Sequence, residues 1–260
     1  MCPLADAGRI IVNLQPLYAI NCVSMIEQDD RNRLIIALDV STADEARRLV
    51  RALGDTVTTY KIGKQLFTAA GPQLVSEFVA AGHRIFLDLK FHDIPNTVWA
   101  AVHSATRLGV SMLTVHASGG PKMLRAAVEA AGQSSKPPLV LAVTVLTSLA
   151  EEDLSLIGVQ GKVQDQVLRL AALARDAGCG GIVASALEVH ELRRALGSEF
   201  AIVTPGVRPS GAPAGDQARV VTPREAIAAG ATHIVVGRPI TEAQDPAAAA
   251  QAVLQEISGR

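Results

Sequence analysis

The chain has 260 residues, 49% of them apolar and 3% aromatic, with a formal net charge of −1. That length fits one (β/α)8 barrel, which takes about 250 residues, or two smaller domains. The balanced charge supplies no field to attract nucleic acid or an anionic membrane, the few aromatics leave little for stacking on bases, and no apolar run approaches the roughly 20 residues of a membrane span.

Residues 1–32 fit no βα unit and are expected to form a partly disordered N-terminal extension, ahead of a catalytic domain spanning 33–260. Asn13, Gln15, Pro16 and Asn21 interrupt the apolar N-terminal stretch, and no basic segment precedes it, so it does not read as a signal peptide. Met25 stands just upstream of the first strand and is a candidate start. Cys2, Cys22 and Cys179 are odd in number and widely spaced, with no Cys-x-x-Cys pair. A soluble protein in a reducing cytoplasm is the expectation.

From residue 34 onward, short β-rich apolar runs alternate with longer segments of helical period. The strand candidates are Leu34–Asp39, Val57–Ile62, Arg84–Leu89, Ser111–His116, Leu139–Thr144, Gly181–Ser185, Phe200–Thr204 and His233–Gly237. Several are almost continuously apolar, as strands covered on both faces are. Between them, Thr42–Leu53 opens with Ser41-Thr42 and acidic Asp44 and Glu45, a helix-start pattern. Pro95–Leu108, Lys162–Ala177 and Pro223–Ala229 read as helices too, and Gly71, Gly82, Gly109, Gly178 and Gly230 as helix ends. This alternation predicts an α/β fold, a single TIM barrel, with a doubly wound open sheet as the rival.

Charge interrupts the strands at their carboxyl ends, where a barrel keeps its active site. Asp39 ends the first, Lys61 nearly ends the second, Asp88 and Lys90 close the third and His116 the fourth. Asp88 and Lys90 are two apart, so a strand turns them to one side. A structural ion pair closing the barrel would explain Asp88 and Lys90 alone; Asp39 and Lys61 beside them favour a catalytic site. Asp93 stands beyond the strand, where a turn or helix-cap carboxylate is the ordinary role.

The last strand leads into Gly237-Arg238-Pro239-Ile240. Glycine lets backbone approach a ligand, and the arginine fork suits phosphate oxygens. The loop Pro205–Gln217 is rich in Gly and Pro and reads as a mobile lid carrying Arg208 and Gln217. Barrels often hold phosphate with the loops after strands seven and eight. The six histidines lack metal-ligand spacing, and Phe78 and Trp99 sit at helical core positions.

The segment Asp88-x-Lys90-x-x-Asp93-Ile94-Pro95-Asn96-Thr97 resembles the signature of the orotidine 5'-phosphate decarboxylase family. So do Ala37-Leu38-Asp39, Tyr60-Lys61-Ile62-Gly63, Val115-His116-Ala117, Val145-Leu146-Thr147-Ser148, Pro205-Gly206-Val207-Arg208-Pro209, Gly215-Asp216-Gln217 and Val236–Thr241, in family order from about residue 33 onward. Asp-x-Lys-x-x-Asp alone is shared with sugar-phosphate decarboxylases and synthases on related barrels, including a Mg²⁺-dependent decarboxylase of 3-keto-gulonate 6-phosphate; the remaining segments are more specific. Residues 1–32 match nothing in the pattern.

The resemblance implies decarboxylation of orotidine 5'-phosphate to uridine 5'-phosphate in pyrimidine biosynthesis, without metal or organic cofactor. It implies catalytic roles for Lys90, Asp88, Asp93 and Lys61. Substrate binding falls to Asp39, Lys61, Thr97, Thr147, Ser148, Arg208, Gln217, Gly237 and Arg238. It also implies a homodimer in which Asp93 and Thr97 reach the partner's site.

Overall fold

The computed structural model describes residues 30–210 and 221–259. Met25, most of the expected extension, and Gln217 in its loop lie outside the described residues. Strands β1 (Leu34–Ala37), β2 (Thr59–Gly63), β3 (Arg84–Phe91), β4 (Met112–His116), β5 (Leu139–Val143), β6 (Gly181–Val183), β7 (Ala201–Thr204) and β8 (His233–Val236) pair in parallel, in chain order, and β8 closes on β1. This closed barrel rules out the open-sheet rival.

Among the described residues the α-helices are α1 (Asp30–Arg33), α2 (Ala43–Leu53), α3 (Lys64–Ala80), α4 (Pro95–Arg107), α5 (Gly120–Ala131), α6 (Glu151–Leu156), α7 (Val163–Asp176), α8 (Val189–Leu196), α9 (Pro223–Ala228), α10 (Arg238–Thr241) and α11 (Pro246–Ile257). None of the described helices is long and apolar enough to cross a membrane. Thr42 caps α2 and Thr222 caps α9, each in a reciprocal box with a glutamate three residues on. Gly71 breaks α3 rather than ending it: its φ of 70° and the following Pro72 kink the helix, which then continues.

Alternation along the strands divides the apolar side chains into two cores. Ile35, Ala37, Phe86, Met112, Leu141, Ala201, Val203 and Val235 fill the barrel interior. Leu34, Ile36, Leu38, Ile62, Ile85 and Leu87 face outward and pack with the helices. The interior is tight between neighbouring strands. A Cβ on Gly181 would lie 2.5 Å from the Ala201 carbonyl oxygen and 2.8 Å from Leu141 Cδ2, so glycine there makes room for leucine on the neighbouring strand.

The interior phase ends in polar residues at the carboxyl rim. Ile35 and Ala37 lead to Asp39, Thr59 leads to Lys61, and Phe86 leads to Asp88. The side chains that fill the barrel below thus set the direction of the charges above.

Candidate active site

Four charged side chains from the carboxyl ends of three adjoining strands, Asp39 just beyond the first, form an alternating chain at the rim. Lys61 Nζ lies 2.9 Å from Asp39 Oδ1 and 3.8 Å from Asp88 Oδ2. Lys90 Nζ donates to both Asp88 oxygens, at 2.7 and 2.8 Å. Lys61 and Asp88 keep only 12% of their side-chain surface exposed and Lys90 25%, whereas Asp39 is open at 58%. The chain therefore runs from the half-buried barrel mouth out to water. Interactions at its inner end are screened less than ion pairs at an open surface.

Local structure holds this arrangement. Gly63 follows Lys61 by two residues on the same phase; a Cβ there would stand 3.3 Å from Lys61 Nζ and 3.6 Å from Asp39 Oδ1. On the neighbouring strand, the fully buried Thr114 donates its hydroxyl to Asp88 Oδ1 at 3.0 Å and accepts the Lys90 backbone N–H at 2.9 Å. Thr114 is absent from the sequence-derived site. Its signal was faint: one hydroxyl at an inward position of an otherwise apolar strand, Met-Leu-Thr-Val-His.

His116 ends β4, with its ring centroid 5.2 Å from that of His92. Burial holds the His116 imidazole below its ordinary range, and the nearby His92, Lys64 and Lys90 reinforce this against the opposing pull of Asp88. Among the described residues no group of three or more His, Cys, Asp or Glu is arranged to hold a metal ion.

The other expected site residues occupy several places around the mouth. Gly237 leaves β8 beside the charge chain: a Cβ there would sit 3.8 Å from Asp39 Oδ2. Arg238 follows it, exposed, as the first residue of α10. Arg208 is buried, at 7% exposure, and its backbone N–H donates to the Val221 carbonyl at 3.1 Å. It belongs to the base of the loop, at the barrel, rather than to an outlying lid. Thr147 and Ser148 are exposed in the turn after β5.

Asp93 is not joined to the charge chain. It is exposed, and its carboxylate accepts the N–H of its neighbour Ile94 at 2.7 Å. Thr97 is exposed in the first turn of α4. A surface pocket of about 530 Å³ is lined by His92, Asp93, Ile94, Pro95, Ser118 and Gly119.

A closed barrel with acid and amine side chains gathered at its carboxyl rim is the architecture of a TIM-barrel enzyme. The sequence matches the family described as orotidine 5'-phosphate decarboxylase / HUMPS over residues 32–253. It is 52% identical to an orotidine 5'-phosphate decarboxylase of Nitrosococcus oceani, over 88% of this chain and 99% of that one. It is 50% identical to the enzyme of the same name from Idiomarina loihiensis, over 86% and 97% respectively. Among solved structures, the orotidine 5'-phosphate decarboxylase of Lactobacillus acidophilus superposes with a TM-score of 0.79 at 37% identity, covering 86% of this chain and 98% of that one. The chain belongs to the orotidine 5'-phosphate decarboxylase / HUMPS family and is a carboxy-lyase.

Proposed function

We propose that the chain converts orotidine 5'-phosphate to uridine 5'-phosphate and CO2 without metal or organic cofactor, and that Lys90 carries the chemistry. The observation behind this is the Lys90 ammonium, half-buried at the barrel mouth and fixed on both oxygens of Asp88. Breaking the bond between C6 and the carboxyl carbon leaves an electron pair on C6. No carbonyl adjoins that carbon to accept it, so a fixed positive charge in a water-poor site is the available stabiliser. Lys90 then gives one proton to C6, becomes a neutral amine and regains a proton from solvent.

Asp88 lies beside the substrate carboxylate in this reading. Two like charges there are unfavourable in the bound substrate and relieved as neutral CO2 departs. Lys61 and Asp39 bind ribose hydroxyls, and Thr147 and Ser148 bind the pyrimidine. Gly237, Arg238, Arg208 and Gln217 hold the phosphate. Phosphate is remote from C6, so its binding energy can drive closure over the ring. Asp93 and Thr97 serve the partner's site in a homodimer, which fits their exposure and their separation from the charge chain of their own subunit. The reaction belongs in the cytoplasm, where a thiol such as the free Cys179 stays reduced.

The test is to follow the loss of orotate absorbance when pure protein meets orotidine 5'-phosphate, with and without EDTA. Equal activity in both arms is expected, and none from Lys90→Ala, which should still bind uridine 5'-phosphate. Loss of activity in EDTA would point to the metal-dependent relatives; an active Lys90→Ala would refute the role of the lysine.

A further inference from the structure

Strand β3 does not keep step with β4. Leu87 pairs with Leu113, and the next pairing is Phe91 with Val115, so β3 advances four residues while β4 advances two. This is a bulge at the position of Asp88 and Lys90. Within it, Lys90 has a φ of 52°, and among the described residues no other non-glycine residue has a positive φ. A long side chain in that region is strained and persists only where its surroundings enforce it.

The bulge has a geometric consequence. Had the register at Leu87 continued, Lys90 would lie opposite His116. Instead it is drawn back to the level of Thr114, roughly 6–7 Å deeper into the mouth at the usual rise per residue. From there its ammonium folds onto both oxygens of Asp88. The Lys90 N–H, displaced from the ladder, finds its acceptor in Thr114 Oγ1 at 2.9 Å, and the same hydroxyl donates to Asp88 Oδ1 at 3.0 Å. Thr114 is fully buried, so no solvent competes for either bond.

We propose that Thr114 is a positioning residue of the decarboxylation: its hydroxyl holds the β3 bulge and so fixes the depth and direction of the Lys90 ammonium. The role needs a group that accepts and donates at once, in one place. Serine can do this; valine, nearly isosteric with threonine, can do neither. The proposal rests on the reading of Lys90 as the proton donor, and two readouts separate the fates of the two ideas.

The kinetic readout uses Thr114→Val and Thr114→Ser with orotidine 5'-phosphate. A misplaced reacting group costs about 100-fold. Thr114→Val should therefore lose about that factor in kcat with KM within about threefold of wild type, and Thr114→Ser should recover kcat to within about threefold. Thr114→Val with wild-type kcat overturns the proposal. So does Thr114→Ser as impaired as Thr114→Val, because side-chain shape rather than the hydroxyl would then be what counts. Should Thr114→Val fail to fold, Thr114→Ala is read by the same criteria. The structural readout is the crystal structure of the hydroxyl-free variant, in which Lys90 should leave the left-handed region and its ammonium should leave Asp88. An unchanged Lys90 there overturns the proposal whatever the substrate proves to be, whereas wild-type protein inert toward orotidine 5'-phosphate would sink only the assigned reaction.

Discussion

Lys61 has carboxylates on two sides and a glycine two residues further along its strand. Gly63 has ordinary extended backbone, φ −91°, so alanine would fit the chain without backbone strain. Its methyl would press on Lys61 Nζ, at 3.3 Å, while the ammonium is held at 2.9 Å from Asp39. Gly63→Ala should lower kcat/KM about tenfold, equivalent to roughly 1.4 kcal/mol at the barrier, with the thermal midpoint little changed. Steady-state kinetics beside a thermal melt checks this.

At the opposite end of the barrel, His233 starts β8. Burial, then Arg84 and Arg33, push its imidazole down from 6.5 to about 4. A depressed imidazole contributes stability that is present above pH 6.5. Below that the unfolded chain takes up a proton that the folded chain refuses, so the contribution is lost as pH falls toward 4. The loss amounts to about 3 kcal/mol when complete. Thermal midpoints at pH 7 and pH 5 should differ more for wild type than for His233→Asn; an equal pH effect in both would acquit His233.

Caps illustrate how far local sequence reaches at the scale of elements. Asp245 accepts the N–H of Ala248 at 3.0 Å and starts α11, whose Ala250, Val253, Leu254 and Ile257 are buried. Asp245→Ala should cost about 1 kcal/mol, lowering the thermal midpoint by about 2–4 °C with kcat unchanged, measurable by calorimetry and the absorbance assay. Such caps depend on neighbours three residues away, and the starts expected at Thr42, Pro95, Lys162 and Pro223 fall within one residue of those observed. Strand β3 is different. It was expected to end at Leu89 and runs on to Phe91, because the residues that sustain it, Thr114 and Val115, belong to another strand.

Assembly is decided at the scale of the whole molecule. Ile94 is 66% exposed between Asp93 and Pro95, an apolar side chain beside a carboxylate that serves no group of its own charge chain. If two subunits exchange Asp93 across a two-fold axis, a hybrid of Lys90→Ala and Asp93→Ala subunits holds one doubly damaged site and one intact site. Mixing two separately inactive variants should then restore about a quarter of wild-type activity, since half the dimers are hybrids with one working site in two. Light scattering would give the mass of the mixture, and a mixture that stays inactive despite subunit exchange would refute the shared site.

The sequence by itself determined the barrel and most of the charge chain. Periodicity and capping are local, and an inward phase of two residues carries Asp39, Lys61 and Asp88 to one rim once the strands close. Tertiary structure alone decided the depth of Lys90, the contacts of Thr114 and Gly63 and the burial of Arg208. Each of these depends on where a second strand or loop stands in space, and spacing along one strand carries no record of its neighbour's register.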